Sequence, residues 1–297
     1  MKAIAVLVSA VLETAAVFAR LPPASSCLAS PRPPGRCSTY TWLPAGRYRL
    51  SQTLAARFPV PTGYQRQPVA VGSFGAWLRA LPLLPAGTPV RLHNGQLKHR
   101  QDVHTAVVDL DVGARDLQQC ADAVIRLRAE YLFSQQPNLV HFHLTSGHDI
   151  RFQDWYAGRG FQVVGNEVLA ATKPVEQPTH AVFRRYLDQI FSYAGTLSLS
   201  RELRPTPLAE VQPGDVLIRG GSPGHAVLVL DVATQPATGR RMALLAQSYM
   251  PAQQVHVLKA APRPGAGAWF LLDPAQEYIY TPEWTFHRTE LGRFTER

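Results

Sequence analysis

The chain has 297 residues, of which 46% are hydrophobic and 17% are charged. This length and composition provide enough apolar material for a sizeable core and exclude a disordered chain. The formal net charge of +9 favours acidic partners such as nucleic acid, anionic lipid or an anionic cell-wall polymer. Because the lysines and arginines are scattered and no nucleic-acid-binding motif occurs, we expect no nucleic-acid partner.

The N-terminal region divides into two segments that we expect to lie outside the core. Residues 1–19 contain an apolar stretch that is typical of a signal segment for export, although a disordered start is the alternative. Residues 20–45 are rich in Pro and Ser, as in a leader or tether. Cys27 is a candidate point of membrane anchoring and, with Cys37, of a disulfide. We therefore expect an exported or periplasmic protein with one folded domain at 46–297, in which no later segment can span a bilayer.

Hydrophobic periodicity and turn residues predict the elements of this domain. In chain order we predict a helix at 72–79, strands at 89–92 and 103–112, a helix at 117–133, a strand at 139–144, helices at 152–156 and 182–192, and strands at 214–218, 225–232, 242–247, 255–258 and 269–272. Ser73 is a suitable N-cap for the first helix. The short turns of the last third favour an antiparallel sheet, and the helices mostly precede it, so we expect the α+β class.

One cysteine and one histidine suggest a catalytic pair. Cys120 lies near the start of the predicted helix at 117–133, where the helix dipole lowers a thiol pKa. His225 follows the run Gly-Gly-Ser-Pro-Gly and opens a strand. A cysteine hydrolase also needs a polar group that orients the imidazole, and Gln247 or Ser248 is placed for this role. The alternatives are a buried structural cysteine on the apolar stripe of its helix and an ordinary histidine at a strand edge.

Two runs carry a resemblance to a known superfamily. Gly-Asp-Val-Leu-Ile at 214–218 and Gly-His-Ala-Val-Leu-Val-Leu-Asp at 224–231 resemble paired strands of the papain-like NlpC and CHAP cysteine amidases. The resemblance implies a papain-like helix packed on an antiparallel β-sheet, with Cys120 as nucleophile and His225 as base. It also implies an amidase or peptidase acting on the peptide of the cell wall, without a cofactor.

The sequence departs from the amidase pattern near the third catalytic position. Ala246 and Ser248 stand where the CHAP family has Glu and Asn, and an insertion at about 137–180 is needed to explain the separation between the cysteine and the histidine. The missing Glu favours a second hypothesis, in which a protein of the same fold binds a ligand or the cell wall without catalysis. A third is that the cysteine is structural and the function lies elsewhere.

Most of the chain, about 50–290, is similar to the uncharacterised bacterial family called domain of unknown function 4846. This family name implies no activity. The segments that carry the resemblance include Gly-Ser-Phe-Gly-Ala-Trp-Leu-Arg-Ala-Leu-Pro-Leu at 72–83, Gly-Gly-Ser-Pro-Gly-His-Ala at 220–226 and Ala-Gln-Ser-Tyr-Met-Pro-Ala-Gln at 246–253, with others at 101–109, 115–132 and 193–199.

Four further residues are candidates for contacting a substrate. Ser222 and Gly224 belong to the glycine-rich loop before the histidine, and a loop-forming role is the alternative for Ser222. Tyr249 follows the candidate orienting residues. Trp155 is suited to line a sugar or peptide groove, but packing in the core is the default for any tryptophan.

A metal site is the remaining alternative, because several histidines and one aspartate lie at suggestive spacings. The sequence lacks a tight ligand motif such as His-Glu-x-x-His. We therefore expect neither a metal nor a cofactor. The residues considered are Asp102, His104, His141, His143 and His148.

Overall fold

The longest helix among the described residues lies on one face of a nine-stranded antiparallel sheet. The structure is a computed structural model, and it describes residues 40–261 and 267–295. The predicted signal segment, most of the predicted leader, and the Cys27 and Cys37 predictions lie outside these ranges. Within the described ranges, no helix is both long and apolar enough to cross a membrane.

The described residues form six α-helices and fifteen strands, numbered here in chain order. The helices are α1 (Leu54–Arg57), α2 (Phe74–Arg79), α3 (Cys120–Gln135), α4 (Phe152–Tyr156), α5 (His180–Tyr193) and α6 (Thr196–Glu202). The strands are β1 (Gln65–Arg66), β2 (His104–Val107), β3 (His141–His143), β4 (Asp149–Arg151), β5 (Arg159–Val164), β6 (Glu167–Thr172), β7 (Leu203–Pro205), β8 (Val216–Arg219), β9 (His225–Thr234), β10 (Arg241–Gln247), β11 (His256–Leu258), β12 (Trp269–Leu272), β13 (Tyr278–Tyr280), β14 (Thr285–His287) and β15 (Leu291–Phe294).

Strand β9 lies in the middle of the main sheet, whose order is β2-β11-β10-β9-β8-β15-β7. Strand β1 pairs with β9 and β12 pairs with β10, and every pair in the sheet is antiparallel. Helix α3 covers one face of β9, and a second apolar cluster covers the other face. The predicted α+β class with an antiparallel sheet is confirmed. The β13–β14, β3–β4 and β5–β6 pairs are separate two-stranded sheets.

Several predicted elements are confirmed to within two residues at each end. They are α2, α4, α5 and the strands β8 to β12. As predicted, the Ser73 hydroxyl caps α2, because it accepts a hydrogen bond of 3.2 Å from the backbone N–H of Ala76. Short apolar runs bounded by turn residues were therefore sufficient signals where strands follow one another closely.

The predicted strand at 89–92 is wrong. Only isolated bridges occur there, at Arg91 and Leu92. Side chains take the backbone donors that a neighbouring strand would have used: Val90 N–H donates to Gln101 Oε1 and Arg91 N–H donates to Gln254 Oε1, both at 3.0 Å. The segment is thus held by side-chain contacts that single-sequence patterning does not show.

The predicted start of the third helix is also wrong, since α3 begins at Cys120 and not at Leu117. Gln119 has an extended backbone, and its N–H donates to Asp122 Oδ2 at 3.1 Å, so it acts as the N-cap. This shift makes Cys120 the first helical residue. The strand predicted at 103–112 is likewise limited to β2.

The region predicted to be an insertion, at 137–180, contains β3 to β6 and α4. The strand predicted at 139–144 is reduced to β3, and the β5–β6 hairpin was not predicted. The folded part also begins earlier than residue 46, because the side chains of Tyr40 and Leu43 are buried in the core. The described residues belong to one compact unit.

Candidate functional site

Cys120 lines a cavity of about 420 Å³ at the beginning of α3. It is not in a disulfide. Burial raises the pKa of the Cys120 thiol above its ordinary value, and the nearby Asp122 carboxyl adds to this effect. The backbone N–H groups of Ala121 and Ala226 face the sulfur and act in the opposite direction. Ala226 follows His225 in the chain, so the thiol lies against the beginning of β9.

Asp122 lines the same cavity and is itself only 6% exposed. Its Oδ2 accepts the Gln119 N–H, whereas its Oδ1 has no hydrogen-bond partner among the residues that the structure describes. Burial raises the pKa of the Asp122 carboxyl to about 8. This carboxyl is therefore mostly protonated at pH 7, and it repels a Cys120 thiolate only once it has ionised.

His225 opens β9 and is 1% exposed. Side chains alternate along this strand, and His225 has the same direction as Val227, which belongs to the cluster on the face away from α3. Its ring lies among aromatic rings, with centroid distances of 5.0 Å to Tyr249, 5.3 Å to Trp284 and 6.0 Å to Phe286. Burial lowers the pKa of His225 to about 4, so the ring is neutral at pH 7.

A buried series of hydrogen-bonded polar side chains holds the His225 ring through its Nε2 atom. His225 Nε2 lies 2.9 Å from Gln247 Oε1, and Gln247 Nε2 donates to Glu283 Oε2 at 2.7 Å. Lys98 Nζ donates to Glu283 Oε1, also at 2.7 Å. The side chains of Lys98 and Glu283 are 6% and 9% exposed, so this ion pair is shielded from solvent.

This series of polar side chains fixes the tautomer of the histidine. The Glu283 carboxylate can only accept, so the Gln247 amide nitrogen points to it and the amide oxygen points to His225. That oxygen can only accept, so His225 Nε2 must carry a hydrogen. In the neutral ring, Nδ1 is then the basic nitrogen.

The loop before His225 has a steric requirement for glycine. A Cβ atom at Gly224 would collide with the backbone oxygens of Gly221 and Arg219 and with the Thr196 hydroxyl. Thr196 Oγ1 donates to Gly221 O at 3.0 Å, which ties the loop to the start of α6. Close packing alone therefore explains why residue 224 is a glycine, and no contact with a substrate is needed to explain it.

The structure brings five of the eight sequence-predicted site residues to one cavity, and they are Cys120, Ser222, Gly224, His225 and Tyr249. Gln247 lies directly behind His225. In the described part of the chain no hydrogen bond joins the Cys120 sulfur to His225, whose Nε2 is engaged by Gln247.

Two predicted site residues lie elsewhere. The Ser248 Oγ lies 3.0 Å from Gln118 O and 2.8 Å from Gln253 O, so its single hydrogen can be donated to either, and the side chain is fully buried. Trp155 is 6% exposed, and its indole N–H donates to Gln189 Oε1 at 2.7 Å. Ser248 therefore does not orient His225, and Trp155 packs among helices and does not line the cavity.

Sequence reasoning missed Lys98, Asp122, Glu283 and Trp284. Glu283 and Trp284 lie in the turn between β13 and β14, where Thr281 N–H donates to Trp284 O at 2.9 Å. The alternating run Tyr-Ile-Tyr-Thr-Pro-Glu-Trp-Thr-Phe-His is a hairpin signal that could have located this turn. Nothing local in the sequence indicates that the turn lies against His225.

The histidines that were considered as metal ligands are engaged by other groups. His141 Nδ1 lies 2.8 Å from Asp149 Oδ1, and His143 Nδ1 lies 3.2 Å from Glu202 Oε1. Across the described ranges, no group of three or more His, Cys, Asp or Glu side chains is arranged to hold a metal ion.

Comparison with known proteins gives a family and no activity. No curated protein matches this chain significantly, and no solved structure does so either. A family model matches residues 54–293, which include every residue of the site described above. The resemblance to domain of unknown function 4846 is thereby confirmed, whereas the resemblance to the NlpC and CHAP amidases is not shown. The chain belongs to the family described as domain of unknown function (4846).

Proposed function

We propose that this protein is a cysteine hydrolase that cleaves an amide bond, with Cys120 as nucleophile and His225 as base. The observation that carries the proposal is the hydrogen bond from His225 Nε2 to Gln247 Oε1 beside the cavity that Cys120 lines. A cysteine, a histidine and a side-chain amide also form the Cys-His-Asn site of papain-like proteases. The chain order of α3, β9 and β10 agrees with a papain-like fold of the NlpC or CHAP type.

In the proposed reaction, the Cys120 sulfur attacks the carbonyl carbon of the amide while His225 Nδ1 takes the thiol proton. A C–S bond forms and the carbonyl oxygen becomes negative. When the C–N bond breaks, the imidazolium gives its proton to the leaving amine. Water then attacks the thioester, with Nδ1 again as base, which releases the carboxylic acid and restores the thiol. Backbone N–H groups near Cys120 stabilise the oxyanion.

The electrostatics of the pair favour a neutral resting state. The pKa of Cys120 is raised by burial and that of His225 is lowered to about 4 by burial, so thiol and imidazole are both uncharged at pH 7. Proton transfer must then accompany the attack on the carbonyl. Catalytic hydrogen bonds commonly shorten only in the substrate complex, which accommodates the missing Cys120–His225 hydrogen bond.

The substrate class we propose is the peptide part of peptidoglycan. The resemblance to NlpC and CHAP amidases supports this choice, as does the net charge of +9, which favours an anionic polymer. Phe191, Leu117 and Met250 give the cavity apolar walls that suit peptide side chains. Export to the periplasm or the cell surface, as predicted from residues 1–19, is part of the same proposal.

The test is the release of amino groups from purified peptidoglycan, detected with fluorescamine. We expect the wild-type protein to release them and Cys120→Ser and His225→Gln to lower the rate by about 10³-fold or more. His99 is exposed, so His99→Gln is a matched control that should keep the wild-type rate. Far-UV circular dichroism establishes that each variant is folded.

The catalytic proposal is contradicted if folded Cys120→Ser retains more than about a tenth of the wild-type rate. If the wild-type protein releases amino groups from casein but not from peptidoglycan, the chemistry stands and the substrate class is wrong. If it releases none from either polymer, the catalytic role is wrong and the second candidate gains support.

The second candidate is a ligand-binding protein of the same fold that performs no chemistry. The raised pKa of Cys120 and the absence of a Cys120–His225 hydrogen bond in the described structure favour it. Sedimentation with insoluble peptidoglycan distinguishes the candidates, because this protein would bind the polymer without releasing amino groups, and Cys120→Ser would bind as tightly as wild type.

A further inference from the structure

A second cavity, of about 720 Å³, lies towards the other end of α3. It is lined by Leu132, which is about 18 Å along the helix from Cys120 at 1.5 Å per residue. Its walls are formed by α3, β3, β4, α6, β7 and the chain at 294–295. None of its lining residues lines the cavity of Cys120.

The walls of this cavity carry uncompensated positive charge. Arg201 and Arg204 are exposed, and in the described ranges neither guanidinium has a hydrogen bond or ion pair. Arg151 differs, because it pairs with Asp149 at 3.1 Å. The one carboxylate that lines the cavity, Glu202, accepts the backbone N–H of His143 at 2.6 Å.

Two histidines on β3 also line this cavity. His141 and His143 have ring centroids 6.1 Å apart, and each has its Nδ1 beside a carboxylate, of Asp149 and Glu202 respectively. A carboxylate at Nδ1 orients the ring and leaves Nε2 for another contact. Both rings line the cavity with the free guanidinium groups.

Part of the cavity wall is apolar. Leu132, Leu139, Phe142 and Leu144 line it. Its volume lies within the range of roughly 300–1,000 Å³ that is usual for small organic ligands. Paired guanidinium groups bind phosphate and carboxylate oxygens well, because their planar donors match those oxygens. Apolar walls add affinity for the carbon skeleton that a bare inorganic ion lacks.

We infer that this cavity binds a small organic dianion, whose phosphate or carboxylate oxygens contact Arg201 and Arg204 while its carbon skeleton contacts the apolar wall. Each arginine supplies donors from a different element, Arg201 from α6 and Arg204 from β7. The inference does not depend on the chemistry of Cys120.

Isothermal titration calorimetry with phenyl phosphate, phthalate and inorganic phosphate tests the inference on the full chain. Phenyl phosphate and phthalate both carry two negative charges on an apolar ring. The charges belong to a phosphate in the first and to two carboxylates in the second, so comparing the two affinities distinguishes phosphate from carboxylate recognition. We expect at least one of the two to bind at least tenfold more tightly than inorganic phosphate. Arg201→Gln/Arg204→Gln should weaken that binding tenfold or more, and Arg201→Gln alone should weaken it less.

A double variant elsewhere controls for the loss of net charge. Arg91 and Arg115 are exposed and line none of the cavities described here, so Arg91→Gln/Arg115→Gln should bind within twofold of wild type. Equal weakening by the two double variants would show binding by diffuse charge and overturn the inference. Equal affinity for inorganic phosphate and the organic anions would overturn it as well, as would no binding of any probe at 10 mM.

Discussion

The two ends of α3 present ionisable groups in opposite ways. At its N-terminal end Asp122 and His225 are buried and Cys120 is half-buried, and this burial raises the pKa of Cys120 and Asp122 and lowers that of His225 to about 4. All three are therefore mostly neutral at pH 7. Near its C-terminal end, Arg201 and Arg204 are exposed and remain charged.

This difference separates two kinds of function on one helix. Neutral groups in a shielded cavity can pass a proton in concert with the attack on a substrate, because the raised pKa of Cys120 and the lowered pKa of His225 disfavour a charged resting pair. Fixed charges at a solvent-exposed cavity attract an anion over a longer range and hold it by hydrogen bonds. Substitutions at the first site should change rate and pH dependence, and substitutions at the second should change affinity and salt dependence.

The largest effect expected outside the Cys120–His225 pair concerns Gln247. Gln247→Leu removes the acceptor that fixes the His225 tautomer, and we expect it to lower the rate of amide hydrolysis by about 10²–10⁴-fold in a folded protein. Steady-state hydrolysis with circular dichroism as the folding check measures this. A rate within threefold of wild type would show that the amide does not orient the base.

Ser248→Ala is the neighbouring control for this substitution. The Ser248 hydroxyl bonds only backbone groups of Gln118 and Gln253. Its loss should cost about 1–3 kcal/mol of unfolding free energy, because one buried backbone oxygen loses its donor and the Gln253 N–H loses its acceptor, and should leave the rate per folded molecule nearly unchanged. The two variants thus separate the alternatives that the sequence left open.

Local patterning was sufficient to predict the catalytic candidates but not their surroundings. Cys120 and His225 each stand at the start of an element, and that context can be recognised from a few neighbouring residues. Lys98 and Glu283 are 185 positions apart in the sequence and meet behind His225 only because the β13–β14 turn folds onto the sheet. No periodicity in either segment indicates that contact.

The same limit applies near the other end of α3. The alternation of His141 and His143 was visible in the sequence and suggested a metal. Their actual partners, Asp149 and Glu202, depend on a hairpin and on a helix, α6, that was not predicted. The strand predicted at 89–92 failed for a related reason, because Gln101 and Gln254 side chains take its backbone donors.

The second prediction concerns the proton on Asp122. Because its folded-state pKa is about 8 and that of an unfolded aspartate is about 3.9, the folded protein holds a proton that the unfolded chain releases between these values. Asp122 therefore makes its whole contribution to the free energy of unfolding below pH 4, and this contribution is lost as the pH rises to 8.

Asp122→Asn keeps an oxygen for the Gln119 N–H but cannot ionise. We expect it to match wild type at pH 4 and to exceed it by an unfolding free energy on the order of 5 kcal/mol at pH 8. Urea denaturation at both pH values measures the difference. The lowered pKa of His225 reduces the free energy of unfolding as the pH falls below 6.5. This loss is the same in wild type and in Asp122→Asn, so it does not affect the difference between them. A constant difference across this pH range would contradict the raised pKa.

The third prediction uses salt to separate the two sites. Raising NaCl from 50 to 500 mM should weaken binding of phenyl phosphate about tenfold, because the Debye length that screens exposed charges shortens from about 14 Å to about 4 Å. Hydrolysis of an uncharged peptide amide should change less than about twofold, because Cys120, Asp122 and His225 are neutral at pH 7 and the nearby Lys98–Glu283 ion pair is shielded from solvent. Calorimetry and an amide assay in the same buffers measure both. If binding and hydrolysis depended equally on salt, the charged and neutral character assigned to the two ends of α3 would be wrong.

The smallest expected effect is on stability. Arg201→Gln/Arg204→Gln should change the free energy of unfolding by less than about 0.5 kcal/mol, because neither guanidinium has a described partner to lose. The sign should be slightly stabilising, since the substitution removes two positive charges from a chain of net charge +9. Urea denaturation at low salt measures it. A loss of more than about 2 kcal/mol would show that these arginines hold the fold together. Their charge would then not be available to a ligand, and the contrast between the two ends of α3 would fail at its C-terminal end.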